Sequence, residues 1–178
     1  MVWRLLHKRV VYRDRWVEVS WADVRLPDGT GYRYTALRRV PGAAVVAVND
    51  KGDLLLQEEY RYPLGKVILQ LPGGLVDPGE TPLVTAQREL REETGYEADE
   101  WEFLGVVQDN PGLIEGATTV FLARKVRRVT TPRPERTEHL TVRWCPWNQV
   151  LAHVREGQIE DRVLLAAVAF LCARGPVV

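Results

Sequence analysis

Residues 73–96 read GGLVDPGETPLVTAQRELREETGY, and the fold turns on how this stretch is read. Its hydrophobic period is helical. Leu83, Ala86 and Leu90 recur at i, i+3 and i+7, which puts a narrow apolar stripe on one face. Thr81 suits an N-cap, and Pro82 suits the first helical position, where a missing N–H costs nothing. Gly95 supplies the left-handed residue that ends a helix. The same helix carries Glu89, Glu92 and Glu93. Residues three and four apart share a face, so Glu89 lies beside both others, and each like-charge pair costs about 0.2–0.5 kcal/mol. Arg88 and Arg91 can offset that repulsion. A solvated acidic face is the ordinary meaning of such a cluster. Here, however, it follows Gly73-Gly74, where backbone can approach a ligand closely, and a second turn at Asp77-Pro78-Gly79. Mg²⁺ takes oxygen ligands and uses one or two carboxylates together with substrate phosphates. A strand, a glycine turn and a carboxylate helix in this order point to a metal and phosphate site.

Outward from the helix the period is two. VVYRDRWVEVSWADVRL (10–26) and GYRYTALRRV (31–40) read as strands joined at a hairpin signal, Asp28-Gly29. AAVVAVND (43–50) is an apolar strand, Lys51-Gly52 turns the chain, and DLLLQEEYR (53–61) returns as its partner. VILQL (67–71) delivers the chain to the glycines. WEFLGVVQD (101–109) and TTVFLARKV (118–126) are strands separated by the loop NPGLIEGA, and TTPRPERTE (130–138) is a surface loop. LTVRWCPW is the last strand, with Trp144 and Trp147 as packing residues around Pro146. Two helices close the chain, roughly Pro146 to Glu156 and Asp161 to Arg174. The second is apolar nearly all round, which suits tight packing or a subunit interface. Strands before and after one central helix, with helices at the end, make an α/β sandwich with a mixed sheet.

The bulk composition excludes several classes. The 178 residues suit one domain with some elaboration, and 46% apolar content suffices for a core. Lys+Arg and Asp+Glu both number 24, so nothing favours nucleic acid or an anionic membrane surface. No apolar run reaches the ~18 residues of a membrane span. The opening MVWRLLHKRVVYRDRW has no signal-peptide pattern, which predicts a cytoplasmic protein. Cys145 and Cys172 are read as free thiols, mostly buried, with a disulfide between them as the alternative. His7, His139 and His153 have no metal-ligand spacing.

From Gly74, five residues lead to Glu80, and seven more lead to Arg88-Glu89-Leu90; then come Glu92-Glu93 and Gly95. This pattern resembles the Nudix box of hydrolases that cleave nucleoside diphosphates linked to another moiety. Every charged and glycine position matches. Tyr96 departs from the usual aliphatic residue. The resemblance implies a Nudix-type α/β/α sandwich over residues 41–178, preceded by an antiparallel β hairpin region over 1–40 with a role in dimerisation and substrate contact. It implies Mg²⁺ (or Mn²⁺) held by Glu89, Glu93 and the Gly73 carbonyl, with Glu92 as a further ligand or orienting group. Glu80 and Arg88 are expected to pair and brace the loop, and Glu93 is expected on a solvent-facing surface.

Beyond the box, QEEYRYPLG is similar to the QYR segment of ADP-ribose pyrophosphatases, which makes Arg61 a candidate phosphate contact. LQLPGGLVDPGE is similar to their ELPAGLID-GE stretch, and Gly74 lies in it. Pro111 stands where that subfamily carries a proline. The family's loop glutamate falls on Gly116, so Glu115, one residue earlier, is the candidate base; Glu135, Glu138, Glu89 and Glu92 are alternatives. In related dimeric enzymes N-terminal tryptophans stack the adenine; Trp16 lies in the matching segment, and Trp21, five residues on, is the second candidate. Each could equally be a core aromatic, but their odd spacing puts them on opposite strand faces, so at least one should be exposed. The resemblance implies hydrolysis of ADP-ribose to AMP and ribose 5-phosphate by a homodimer. The alternatives are another nucleoside diphosphate sugar such as GDP-mannose, a dinucleotide, or a non-catalytic nucleotide sensor.

Overall fold

The computed structural model describes residues 2–133 and 139–175. Its strands are β1 (Arg4–Arg13), β2 (Val17–Arg25), β3 (Gly31–Arg39), β4 (Gly42–Ala47), β5 (Leu54–Arg61), β6 (Lys66–Gln70), β7 (Gly73–Leu75), β8 (Tyr96–Asn110), β9 (Ile114–Arg128) and β10 (Leu140–Cys145). Its helices are α1 (Pro82–Thr94), α2 (Trp147–Arg155) and α3 (Arg162–Arg174). The chain forms two compact units, Met1–Pro41 with Gln108–Ala117, and Gly42–Val107 with Thr118–Val178.

In the first unit β1, β2 and β3 form an antiparallel meander. Residues 10–26, read from sequence as one strand, break between β1 and β2. Asp14 causes the break: its Oδ1 accepts from the N–H groups of Trp16 (2.7 Å) and Val17 (2.8 Å), the short local turn that aspartate favours. The Asp28-Gly29 hairpin forms, with Gly29 at φ 88°. The expected loop 110–117 is shorter than read. Asn110-Pro111-Gly112-Leu113 makes a turn, closed by Leu113 N–H to the Asn110 carbonyl at 2.9 Å, and β9 starts at Ile114. Its first residues pair parallel with β3, Leu37 opposite Ile114 and Arg38 opposite Glu115. Little of this unit is buried. β1 is exposed along its whole length.

The second unit holds the core. β4 lies between β9 (parallel) and β7 (antiparallel), and β8 adds to β9. A separate antiparallel sheet runs β10-β5-β6. This corrects the sequence reading, which paired β4 with β5. They share a single bridge, Val48 to Leu54. Both edges of β4 are already filled, and a turn at Asn49–Gly52 carries the chain from one sheet into the other; Asn49 Oδ1 accepts from Lys51 and Asp53 N–H, and Gly52 sits at φ 80°.

β4 is buried on both faces. Ala44, Val46 and Val48 pack with Leu54, Leu56, Val120 and Leu122 against α2 and α3. Ala43, Val45 and Ala47 pack with Leu55 and Phe121 against Ala86 and Leu90 of α1. Helices thus cover both sides, giving the α/β/α sandwich with a mixed sheet. Each fully buried leucine contributes about 1.5–3 kcal/mol, so Leu90, fully buried, is a main anchor of α1. Cys145 is buried and Cys172 exposed, both free, which overturns the disulfide alternative. No helix of the described residues is long and apolar enough to cross a membrane.

Candidate active site

α1 begins where Thr81 Oγ1 accepts from Val84 N–H at 3.3 Å, and it ends at Gly95, φ 78°. Its buried face carries Thr85, Ala86, Glu89, Leu90, Glu93 and Thr94. Glu89 and Glu93 therefore share the apolar stripe with Ala86 and Leu90, and only Glu92 of the three glutamates is exposed. This corrects the expectation of a solvent-facing Glu93, which is 2% exposed. The reason is periodic. Positions 86, 89, 90 and 93 follow the i, i+3, i+4, i+7 spacing of one helix face.

Buried carboxylates need donors. Glu93 Oε2 accepts from Gly73 N–H at 2.7 Å, and Oε1 accepts from Gln57 Nε2 at 3.0 Å. Gln57, on β5, is itself fully buried, and its Oε1 has no hydrogen-bond partner among the described residues. Glu89 fills the space beside Gly74, where an added Cβ would lie 2.1 Å from Glu89 Oε1. The glycine is required there by the carboxylate.

Arg88 is the counter-charge. It bonds Glu80 through Nε (3.1 Å) and Nη2 (3.2 Å), Glu89 (2.9 Å) and Glu92 (3.1 Å) through Nη1, and it lies 3.5 Å from Asp77. The expected Glu80–Arg88 pair is thus formed, and Thr85 Oγ1 donates to Glu80 at 2.7 Å. These contacts hold Arg88 far above its usual value, led by the hydrogen bonds to Glu80, and hold the Glu80 carboxyl below the usual carboxylate range. A carboxyl depressed in the folded state stabilises fully above its unfolded pKa of ~4.3 and loses that contribution as pH falls through its folded value. Glu80→Gln is therefore expected to melt below the wild type at pH 7, with the two curves converging in strong acid. Thermal melts across pH would check this.

Among the described residues no three His, Cys, Asp or Glu side chains converge as a metal-ligating cluster. Arg88 holds Glu89 and Glu92, while Gln57 and Gly73 hold Glu93. The donor set nevertheless fits a hard divalent cation: it is all oxygen, one buried amide oxygen has no donor, and the glycine at 74 keeps space for a carboxylate.

The other candidates fall in different places. Arg61 ends β5, where its guanidinium meets Glu59 (2.8 Å) and Gln70 (3.1 Å). In the first unit, Trp16 and Trp21 are both exposed, so neither is a core residue. The Arg15 guanidinium lies 4.3 Å from the Trp16 ring and that of Arg33 5.6 Å from the Trp21 ring. Pro111 occupies the turn described above. Glu115 lies on a strand, not a loop, is mostly exposed, and sits 3.8 Å from Arg38. Glu135 and Glu138 lie outside the described residues. Beside Gly116 runs the Arg39–Asp109 ion pair; an added Cβ would lie 2.6 Å from Asp109 Oδ2 and 2.7 Å from Arg39 Cγ. The departure at Tyr96 is matched by Trp144, whose Nε1 donates to the Tyr96 hydroxyl at 3.1 Å. Sequence reading missed Gln57. Its signal was an amide at the inward phase of LLLQ, two residues after Leu55, a spacing that puts both on one strand face.

A family model described as NUDIX domain matches residues 38–168. The methanol dehydrogenase activator of Bacillus methanolicus is 30% identical over 162 residues, covering 90% of this chain and 88% of that protein. The ADP-ribose pyrophosphatase of Mycobacterium tuberculosis (strain ATCC 25618 / H37Rv) is 33% identical over 148 residues, covering 82% and 72%. The crystal structure of an ADP compounds hydrolase superposes with a TM-score of 0.84 over 99% of this chain and 97% of that one, at 23% identity, a likeness of fold. With the box intact, its two buried glutamates on one helix face and the family match across most of its length, the chain belongs to the Nudix family and is a pyrophosphohydrolase.

Proposed function

We propose that the protein hydrolyses the diphosphate of ADP-ribose to AMP and ribose 5-phosphate with Mg²⁺ (or Mn²⁺). The observation that carries this reading is the pair of carboxylates, Glu89 and Glu93, on the buried face of α1 beside Gly73-Gly74. Glu89, Glu93 and the Gly73 carbonyl would hold the cation, with Glu92 joining them or orienting water. When bound, the cation neutralises phosphate charge and lowers the pKa of a water. Water attacks one phosphorus, the bond to the bridging oxygen breaks, and each product leaves as a phosphomonoester. Arg88 and Glu80 brace the glycine loop. Arg61 contacts a phosphate, Trp16 and Trp21 take the adenine, the Pro111 turn shapes the substrate loop, and Glu115 serves as base. The choice of ADP-ribose rests on the activity named for the mycobacterial relative and on the QYR-like segment around Arg61. Residues 1–40 serve dimerisation and substrate contact, residues 41–178 the hydrolase domain, and the homodimer works in the cytoplasm.

A panel of ADP-ribose, GDP-mannose, UDP-glucose, NADH and diadenosine polyphosphates, incubated with Mg²⁺ and a phosphatase that releases phosphate from monoesters, tests the substrate. Dominant turnover of ADP-ribose is expected. Dominant turnover of another compound would keep the pyrophosphohydrolase and discard ADP-ribose, and tight binding without turnover would mark a sensor. Trp16→Ala is expected to raise KM with kcat nearly unchanged, as loss of uniform binding does; an unchanged KM would remove Trp16 from the substrate site.

A further inference from the structure

Alternate residues of a strand share a face, so the face of β5 that carries Gln57 continues outward through Glu59 to Arg61. Glu59 and Gln70 are each 5% exposed, yet both are polar. They form a closed triangle with Arg61. Arg61 Nη2 lies 2.8 Å from Glu59 Oε2, Arg61 Nε donates to Gln70 Oε1 at 3.1 Å, and Gln70 Nε2 donates to Glu59 Oε2. The two side chains grip Nε and Nη2, one edge of the planar guanidinium fork. Among the described residues Nη1 has no partner, which leaves the terminal N–H edge open on a side chain 44% exposed. An arginine needed only to neutralise a buried carboxylate would be satisfied by one contact. This one is fixed in plane by two partners of different chemistry.

We infer that Glu59 and Gln70 are positioning residues that hold Arg61 with its terminal N–H edge presented to an anionic phosphate of the substrate. This rests on the proposed role of Arg61 and adds what makes that role effective. A long side chain immobilised before binding loses less entropy when the ligand arrives, and a guanidinium held in plane can meet phosphate oxygens with two parallel hydrogen bonds. Glu59 has an opposing effect, because its negative charge lowers the potential that Arg61 offers an anion. The two effects have opposite signs when Glu59 is removed, and the loss of a fixed guanidinium outweighs the gain in potential.

The test compares Arg61→Ala, Glu59→Ala, Gln70→Ala and the exchange Glu59→Gln/Gln70→Glu. It measures AMP and ADP-ribose affinity by calorimetry in EDTA, and kcat and KM with Mg²⁺. The exchange keeps one carboxylate and one amide in the buried pair. Every donor finds an acceptor again, with the carboxylate now at position 70 accepting from Arg61 Nε. Glu59→Ala and Gln70→Ala are expected to weaken binding and raise KM about tenfold, approaching Arg61→Ala, with kcat within about twofold. The exchange is expected to return affinity to within about threefold of wild type, which a merely structural lesion would not do. Unchanged or tighter binding by Glu59→Ala, with Arg61→Ala still impaired, would overturn the clamp. So would an exchange variant that melts like wild type yet binds like Glu59→Ala. If Arg61→Ala itself binds normally, the phosphate role of Arg61 fails and takes the clamp with it.

Discussion

Glu93→Gln is expected to lower kcat roughly 10²–10³-fold, the usual effect of removing one preorganised electrostatic group from a reaction centre, while leaving the protein no less stable. The second half follows from the hydrogen bonds. In the wild type, Glu93 accepts from Gln57 Nε2 and from Gly73 N–H, and Gln57 Oε1 has no partner among the described residues. In the variant the new amide can accept from Gly73 N–H and donate to Gln57, whose own amide then turns over. The turned amide places its Nε2 where the partnerless oxygen stood, so the contacts to Glu93's neighbours are kept while a buried negative charge is gone. Burying charge costs more than burying a paired amide. Melting temperature should stay level or rise as turnover collapses. Near-normal kcat would remove Glu93 from the chemistry. A collapse of both stability and activity would show that its charge holds the fold.

Gly73→Ala is expected to be the most damaging single substitution at the level of the fold. Gly73 has φ 154°, and an added Cβ would lie 2.3 Å from the Ala43 carbonyl oxygen and 2.8 Å from Ala44 Cα. Both are backbone atoms of β4, which is buried on both faces and paired to β7 and β9, so they have nowhere to move. Strain and overpacking together cost on the order of 3 kcal/mol or more, which for a chain of this size lowers Tm by roughly 10 °C. Gly74→Ala makes the contrast. Its Cβ would meet the carboxylate of Glu89, the end of a flexible side chain. Calorimetry should therefore find a much smaller fall in Tm for Gly74→Ala than for Gly73→Ala, with activity lost in both. Equal Tm losses would mean that the Glu89 carboxylate is as fixed as backbone.

Much of this was legible in the sequence because local chemistry dictates it. Thr81, Pro82 and Gly95 bound α1 where the capping rules put them, and the fixed gaps of the box pair Glu80 with Arg88. Two kinds of error arose. Local turns were underweighted: Asp14 ends a strand that its apolar neighbours would have continued, and Asn110–Leu113 turns so tightly that strand resumes at once. Non-local pairing was invisible. Two adjacent apolar strands with a glycine turn look like a hairpin, but strands buried on both faces can equally stand in facing sheets, and only the rest of the chain decides between these. The burial of Glu93 was missed for a related reason. Its charge suggested solvent, although its spacing from Ala86 and Leu90 placed it on their face. In this helix periodicity outranked polarity, because buried partners on β5 and at Gly73 stood ready for the carboxylate.

The most direct measurement is the binding of Mn²⁺, followed by the electron paramagnetic resonance signal of the free ion, in wild type, Glu93→Gln and Glu89→Gln, with AMP present to supply phosphate oxygens. Wild type should deplete the free-ion signal, and both variants should leave it nearly undiminished while retaining the wild-type fold. Equal Mn²⁺ binding by all three proteins, or none by the wild type at millimolar metal, would contradict a cation held by the buried carboxylates of α1.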